Sequence, residues 1–195
     1  MAATATAPSK RFHCEVTDKA RRRYKLAAWL SIPTGLLGGL IKLGWEVPFP
    51  PRTAAQNATN PPQMFLEKLG FSPHFVHQTV AYNGYDIPWV SITVHMLFSI
   101  VVGGLIYILL AEKFPQIKLW QGVAYGLVTG IALHLVLMPA LGIVPAPWHQ
   151  QFQQHLSEAP GHAVWMWVIE LTRRDLRNRI THEPDPEVPL TAAFR

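Results

Sequence analysis

Charged residues in this chain are swept to the edges of long apolar blocks, and that arrangement constrains the fold more than any motif does. A helix needs roughly 20 consecutive apolar residues to cross the ~30 Å of hydrocarbon in a bilayer. Several blocks here reach that length. The overall apolar fraction, 49% of 195 residues, is ordinary for a soluble protein, so the clustering carries the information and the average does not. The expected fold class is all-α: a polytopic membrane protein with four transmembrane helices and both the N and C termini in the cytoplasm.

The segments follow from the edges of the blocks. Residues 1–20 are polar and read as a cytoplasmic tail. A membrane domain over 21–179 carries spans at about 24–45, 89–111, 119–143 and 157–177, with an outer loop at 46–88 and a second cytoplasmic tail at 180–195. Pro33 lies inside the first span, where neighbouring helices tolerate the carbonyl it frees. In the outer loop, the apolar spacing from Pro61 to Leu69, ended by Gly70, predicts a short interfacial helix. The second and third spans are joined only by Glu112 to Lys118 and must form an antiparallel hairpin. The fourth span has a clean apolar run only from Ala163 to Ile169. It works as a span if Ser157 caps the helix, Pro160 lies in its first turn, and arginines snorkel toward Arg177.

Orientation follows from the basic residues. With four spans, fourteen of the seventeen lysines and arginines fall on the cytoplasmic side and only Arg52 and Lys68 outside, Lys42 lying within a span. Three spans would put Arg173, Arg174, Arg177, Arg179 and Arg195 outside. The first four of these are read as a basic anchor at the cytoplasmic surface. Trp45, Trp89 and Trp148 fall at the outer boundary and Trp120 at the inner one. The net charge of +5 flanks apolar blocks, so the expected partner is the lipid bilayer with its anionic headgroups, and no nucleic acid. The run Arg21 to Lys25 is not the start of a signal peptide, because the following block is too long and Glu46 to Arg52 is no cleavage site. Cys14, the lone cysteine, says nothing about compartment.

Small residues four apart mark close-packing faces: Gly122, Gly126 and Gly130 on the third span, Gly35 and Gly39 on the first. They serve packing within the chain, a homodimer seam, or both.

Ionisable residues in the spans are costly unless they turn inward. At a rise of about 1.5 Å per residue, His95 lies about 10 Å below the outer boundary, His134 about 13 Å, and Lys42 and His162 each about 6 Å. His134 extends the glycine row of its helix, and Glu158 and His162 are four apart. These positions predict a polar cluster of Lys42, Glu46, His95, His134, Glu158 and His162 near the outer side. Three roles are open to it: cross-helix hydrogen bonds that fix the bundle, proton or pH chemistry with protons or small ions as partners, or a metal or b-type haem held between helices. No HxxxH or CxxC spacing supports the last, so neither metal nor cofactor is expected. Glu170, one turn before Arg173 and Arg174, is expected to pair with one of them. With no GxSxG, HExxH, Walker or GxGxxG motif, catalysis is not indicated.

From Arg173 to Glu187 the chain resembles the YagU family of bacterial inner-membrane proteins. The resemblance extends through Arg22-Arg23-Tyr24, Glu46-Val47-Pro48, Pro50-Pro51-Arg52, His95 with Phe98 to Val101, Phe114 to Gly122, His134, and Gly161-His162 with Trp165, Trp167 and Glu170. It covers most of residues 21 to 190 and fits least over 53–86. It implies a multi-pass inner-membrane protein, with a homodimer as one form, and implies no catalytic activity. The function it leaves open is read from the cluster: a pH-responsive or proton- and ion-handling role in acid tolerance, against a purely structural or scaffolding one.

Overall fold

A computed structural model describes residues 16–183 and 185. Four long helices run through it: α1 (Tyr24–Glu46) and, numbered after the short elements below, α4 (Trp89–Lys113), α5 (Val123–Ala140) and α6 (Phe152–Thr181). Between α1 and α4 lie α2 (Pro61–Lys68), α3 (Pro73–Val76) and the hairpin β1 (Val80–Tyr82) and β2 (Tyr85–Ile87). Among the described residues, α1, α4 and α5 are the helices long and apolar enough to cross a membrane.

Local chemistry explains the short elements. Asn60 and Gln63 form a reciprocal capping box at the start of α2, with prolines in its first turn. The hairpin turns at Asn83-Gly84, both at positive φ (50° and 81°), the geometry whose twist matches paired strands.

Helix α1 turns a face of mostly small residues toward a core of Tyr107, Ile108, Trp165, Met166 and Ile169. On α1 the buried face is Ala27, Leu30, Ser31, Thr34, Gly35, Gly38, Gly39 and Lys42, while Trp29, Ile32, Leu36 and Leu40 point outward. Water would reverse that arrangement; lipid permits it, because only close backbone packing and hydrogen bonds hold helices together there. A Cβ added at Gly35 would sit 2.5 Å from the Ile100 Cα on α4, and one at Gly38 would strike Ile169 on α6. Ser99 donates to the Gly35 carbonyl at 2.6 Å and accepts from the Trp165 indole at 2.7 Å, so α1, α4 and α6 share one hydrogen-bonded knot.

Helix α6 is the least apolar of the four long helices and the most enclosed. It packs against α1, α4 and α5, and its buried residues include Ser157, Glu158, His162, Glu170, Arg173 and Arg177. Two helix starts differ from the sequence expectations. Helix α6 begins at Phe152, so Ser157 is interior and its hydroxyl bonds the Phe49 carbonyl in place of capping a helix. Pro160 likewise stands well inside α6. Helix α5 begins at Val123, not Leu119, because Trp120, Gln121 and Gly122 all take left-handed φ (53°, 54° and 83°), which no helix continues through. Gly122 therefore caps α5, and it still shares the contact with α6 with Gly126 and Gly130, since a Cβ on it would lie 3.0 Å from the Met166 carbonyl.

At the end of the bundle near the α4–α5 hairpin, α6 threads a buried ion network. Arg173 binds Glu170 at 2.6 Å and also Asp185, Arg177 binds Glu112 at 2.8 Å, Tyr107 donates to Glu170 at 3.0 Å, and Lys118 binds Asp185 at 2.9 Å. Arg173 and Arg177 thus face the bundle and not the headgroups, since a buried guanidinium requires carboxylates and three surround them. Of the four arginines read as an anchor, Arg179 is the one in the open, paired with Asp175, and Arg174 is half-buried.

Candidate functional site

At the opposite end of the bundle α1 and α6 are fastened by the Trp45 indole, which donates to the Ser157 carbonyl at 3.0 Å. Gly161 permits the approach: a Cβ there would lie 3.0 Å from Trp45 and 3.2 Å from Lys42. Lys42 is therefore carried onto α6, where its ammonium binds Glu158 Oε2 at 3.0 Å and, one turn along its own helix, Glu46 Oε1 at 2.5 Å. The other Glu158 oxygen faces Arg52, which enters from the loop after α1 at 3.3 Å.

The histidines complete the same carboxylate's surroundings. His134 Nε2 stands 3.5 Å and His162 Nδ1 3.7 Å from Glu158 Oε2, and His162 Nδ1 also bonds the Glu158 carbonyl at 2.8 Å. The two imidazoles meet edge to face at 4.9 Å, and His162 sits edge-on to Trp165 at 5.6 Å. Gly130 makes room, because a Cβ on it would press the His162 ring at 3.0 Å, and Gly126 lets α5 approach the His162 carbonyl. His95 lies apart from these ion pairs, in the wall of the same cleft, with its Nε2 buried and without a hydrogen-bond partner. Five of the six residues expected to cluster thus surround or adjoin one carboxylate, and the sixth faces the shared space. That space is a cleft of about 390 Å³ between α1, α2, α4, α5 and α6.

Comparison with known proteins adds to this geometry. Residues 36–171 match the family described as "Protein of unknown function (DUF1440)". The chain is also 41% identical to the inner membrane protein YagU of Escherichia coli K12, over 90% of this chain and 96% of that one. The chain belongs to the DUF1440 family. No solved structure matches it. With its three apolar helices, it is a multi-pass protein of the bacterial inner membrane. The matched family region runs from mid-α1 into α6 and includes Lys42, Glu46, Arg52, His95, His134, Glu158 and His162.

Donor atoms of His134, Glu158 and His162 lie within 4.8 Å of one another, close enough to hold a metal ion in this DUF1440 chain. Both oxygens of Glu158 already face cations, however, so a divalent ion would enter beside the Lys42 ammonium against strong like-charge repulsion. Sequence reasoning missed Arg52, which sits in the irregular stretch of turns and bends after α1 where helical phase gives no direction. Its signal was its place in the run Pro50-Pro51-Arg52 shared with the family.

Proposed function

We propose that this protein is a four-span bundle with both termini in the cytoplasm, whose buried histidine and carboxylate cluster changes charge with external pH and serves proton or ion handling in acid tolerance. What carries the reading is one carboxylate, Glu158, shared by Lys42, Arg52, His134 and His162. With neutral imidazoles, Lys42 and Arg52 balance Glu46 and Glu158. Each proton taken by His134, His162 or the nearby His95 then adds a positive charge that no carboxylate answers. In a tightly packed bundle such a charge either draws water inward or shifts the packing of α5 and α6.

The topology in this proposal rests on the bias of basic residues and on α6, whose polar face is covered by three apolar helices. Residues 1–20 and 180–195 are cytoplasmic in it, with 46–88 outside. Of these tails, residues 1–15, 184 and 186–195 lie outside the described residues. Gly35, Gly38 and Gly39 of α1 and Gly126 and Gly130 of α5 are occupied within the chain, so a homodimer would need another face, such as the outward side of α5 with Val128, Ile131 and Val136. A packing-only role for the histidines is favoured by the bond from His162 to its own helix, and the experiment below separates the two.

The test is acid survival of His95→Gln, His134→Gln and His162→Gln strains, alongside a pH titration of tryptophan fluorescence in lipid nanodiscs. Because His162 is edge-on to Trp165, its protonation is expected to change that indole's emission, and His162→Gln to remove the change. Wild-type survival in all three strains together with a pH-independent signal would overturn the proposal.

A further inference from the structure

The cleft holds more hydrogen-bonding capacity than its walls use. Nε of Arg52, Nε2 of His95 and Nδ1 of His134 are buried without a partner, and all three residues line the cleft. The Arg52 nitrogen is an unconditional donor, since a guanidinium has only N–H groups to offer. Its two terminal nitrogens stand 3.3 Å and 3.5 Å from Glu158 Oε1, longer than the ~2.7 to 2.9 Å of a charge-assisted bond, so Arg52 is only half engaged. The rest of the lining is largely apolar and includes Ile92, Leu133, Leu137 and Met138. The volume, about 390 Å³, falls within the roughly 300–1,000 Å³ typical of small-molecule sites.

We propose that the cleft binds a small amphipathic carboxylate, its head on Arg52 and its aliphatic body against Leu133 and Leu137. A carboxylate can accept two parallel bonds from one edge of a guanidinium, using the idle Nε–H, which a single hydroxyl cannot do. An ammonium ligand has no acceptor to offer the idle Nε–H. The aliphatic wall rewards each methylene buried against it, so a bare inorganic anion uses only half of the site. This inference shares the cleft with the proton-handling proposal but does not need any imidazole to titrate.

The test uses the full chain in nanodiscs at about pH 7.5, where an ordinary imidazole is neutral. Hexanoate, acetate and hexanol are titrated against tryptophan emission, Trp165 being part of the cleft lining. Hexanoate is expected to bind at least about tenfold more tightly than either acetate or hexanol, and Arg52→Gln to lose about tenfold for hexanoate. Leu133→Phe keeps Arg52 and shortens the apolar side, so it should weaken hexanoate while leaving acetate unchanged. Equal affinity for hexanoate and hexanol, no binding to the wild type, or Arg52→Gln binding hexanoate as the wild type does, each overturns the proposal. Native mass spectrometry separates two sources of the same chemistry: a retained fatty acid or acidic lipid displaced by hexanoate assigns the site to the bilayer, and hexanoate bound with nothing displaced assigns it to a soluble acid.

Discussion

Glu158 and the glycines around it show how much single positions decide. Replacing Glu158 with Ala leaves Lys42 and Arg52 buried near an empty partner position, and breaking a buried pair in this way typically costs about 3–5 kcal/mol. The expected result is a large fall in thermal unfolding temperature in nanodiscs, partly restored by Lys42→Met in the same chain. The glycines divide sharply. Gly126→Val drives a side chain into the His162 backbone and should destabilise by about 1–3 kcal/mol. Gly44→Ala meets nothing within 4 Å on a helix, so it should be neutral or gain up to about 1 kcal/mol. Thermal melts of the two variants side by side check both signs. Depth and phase made Lys42, Glu46, His134, Glu158 and His162 legible in the sequence because helical rise is regular. Arg52 was not legible by that route, since it lies in an irregular, bent loop whose course only the tertiary fold determines.

Among the elements, α6 tests sequence reading hardest. Hydropathy finds α1, α4 and α5 because their large apolar side chains meet lipid, whereas α6 spends its polar residues on its neighbours and falls below that signal. Its start at Phe152 was missed for the same reason: the polar residues from Gln153 to Glu158 look like loop until α1 is there to receive them. The far end of α6 is clipped by Asp185. Burial opposes its ionisation, but the Arg173 guanidinium and the Lys118 ammonium outweigh burial and hold its pKa below the ordinary 3.8. Lys118, in turn, is lowered by burial despite Asp185 beside it. For an aspartate shifted down, the stabilisation is fully present above 3.8 and is lost only as pH falls through the depressed folded value. The Asp185 amide, which donates to Asn178 at 2.8 Å, should therefore stay protected from hydrogen exchange at the pH where a free aspartate is half protonated. Asp185→Asn should abolish that protection at neutral pH as well.

For the whole molecule, the two ends of the bundle carry ion networks of different make. Among the described residues, one joins Glu112, Lys118, Glu170, Arg173, Arg177 and Asp185 with no histidine; the other adds two imidazoles and a cleft. Acidification from outside would then act on one end and leave the other clamped. Sidedness is directly measurable: Cys14 should react with an impermeant maleimide only in inside-out vesicles, and a cysteine placed at Tyr85 beside the hairpin turn only in right-side-out ones. The enclosure of α6 also bears on how the chain is made. In the proposed four-span topology, a helix with buried Glu158, Glu170, Arg173 and Arg177 has little to recommend it to a translocon on its own, and would partition laterally into a groove already lined by α1, α4 and α5. Its place after those three in the chain means that the ribosome releases it only when that groove can exist. A circular permutant that synthesises residues 152–183 first should leave the segment stranded in the aqueous phase, and with it the carboxylate and guanidinium partners that α1 and α4 bury against.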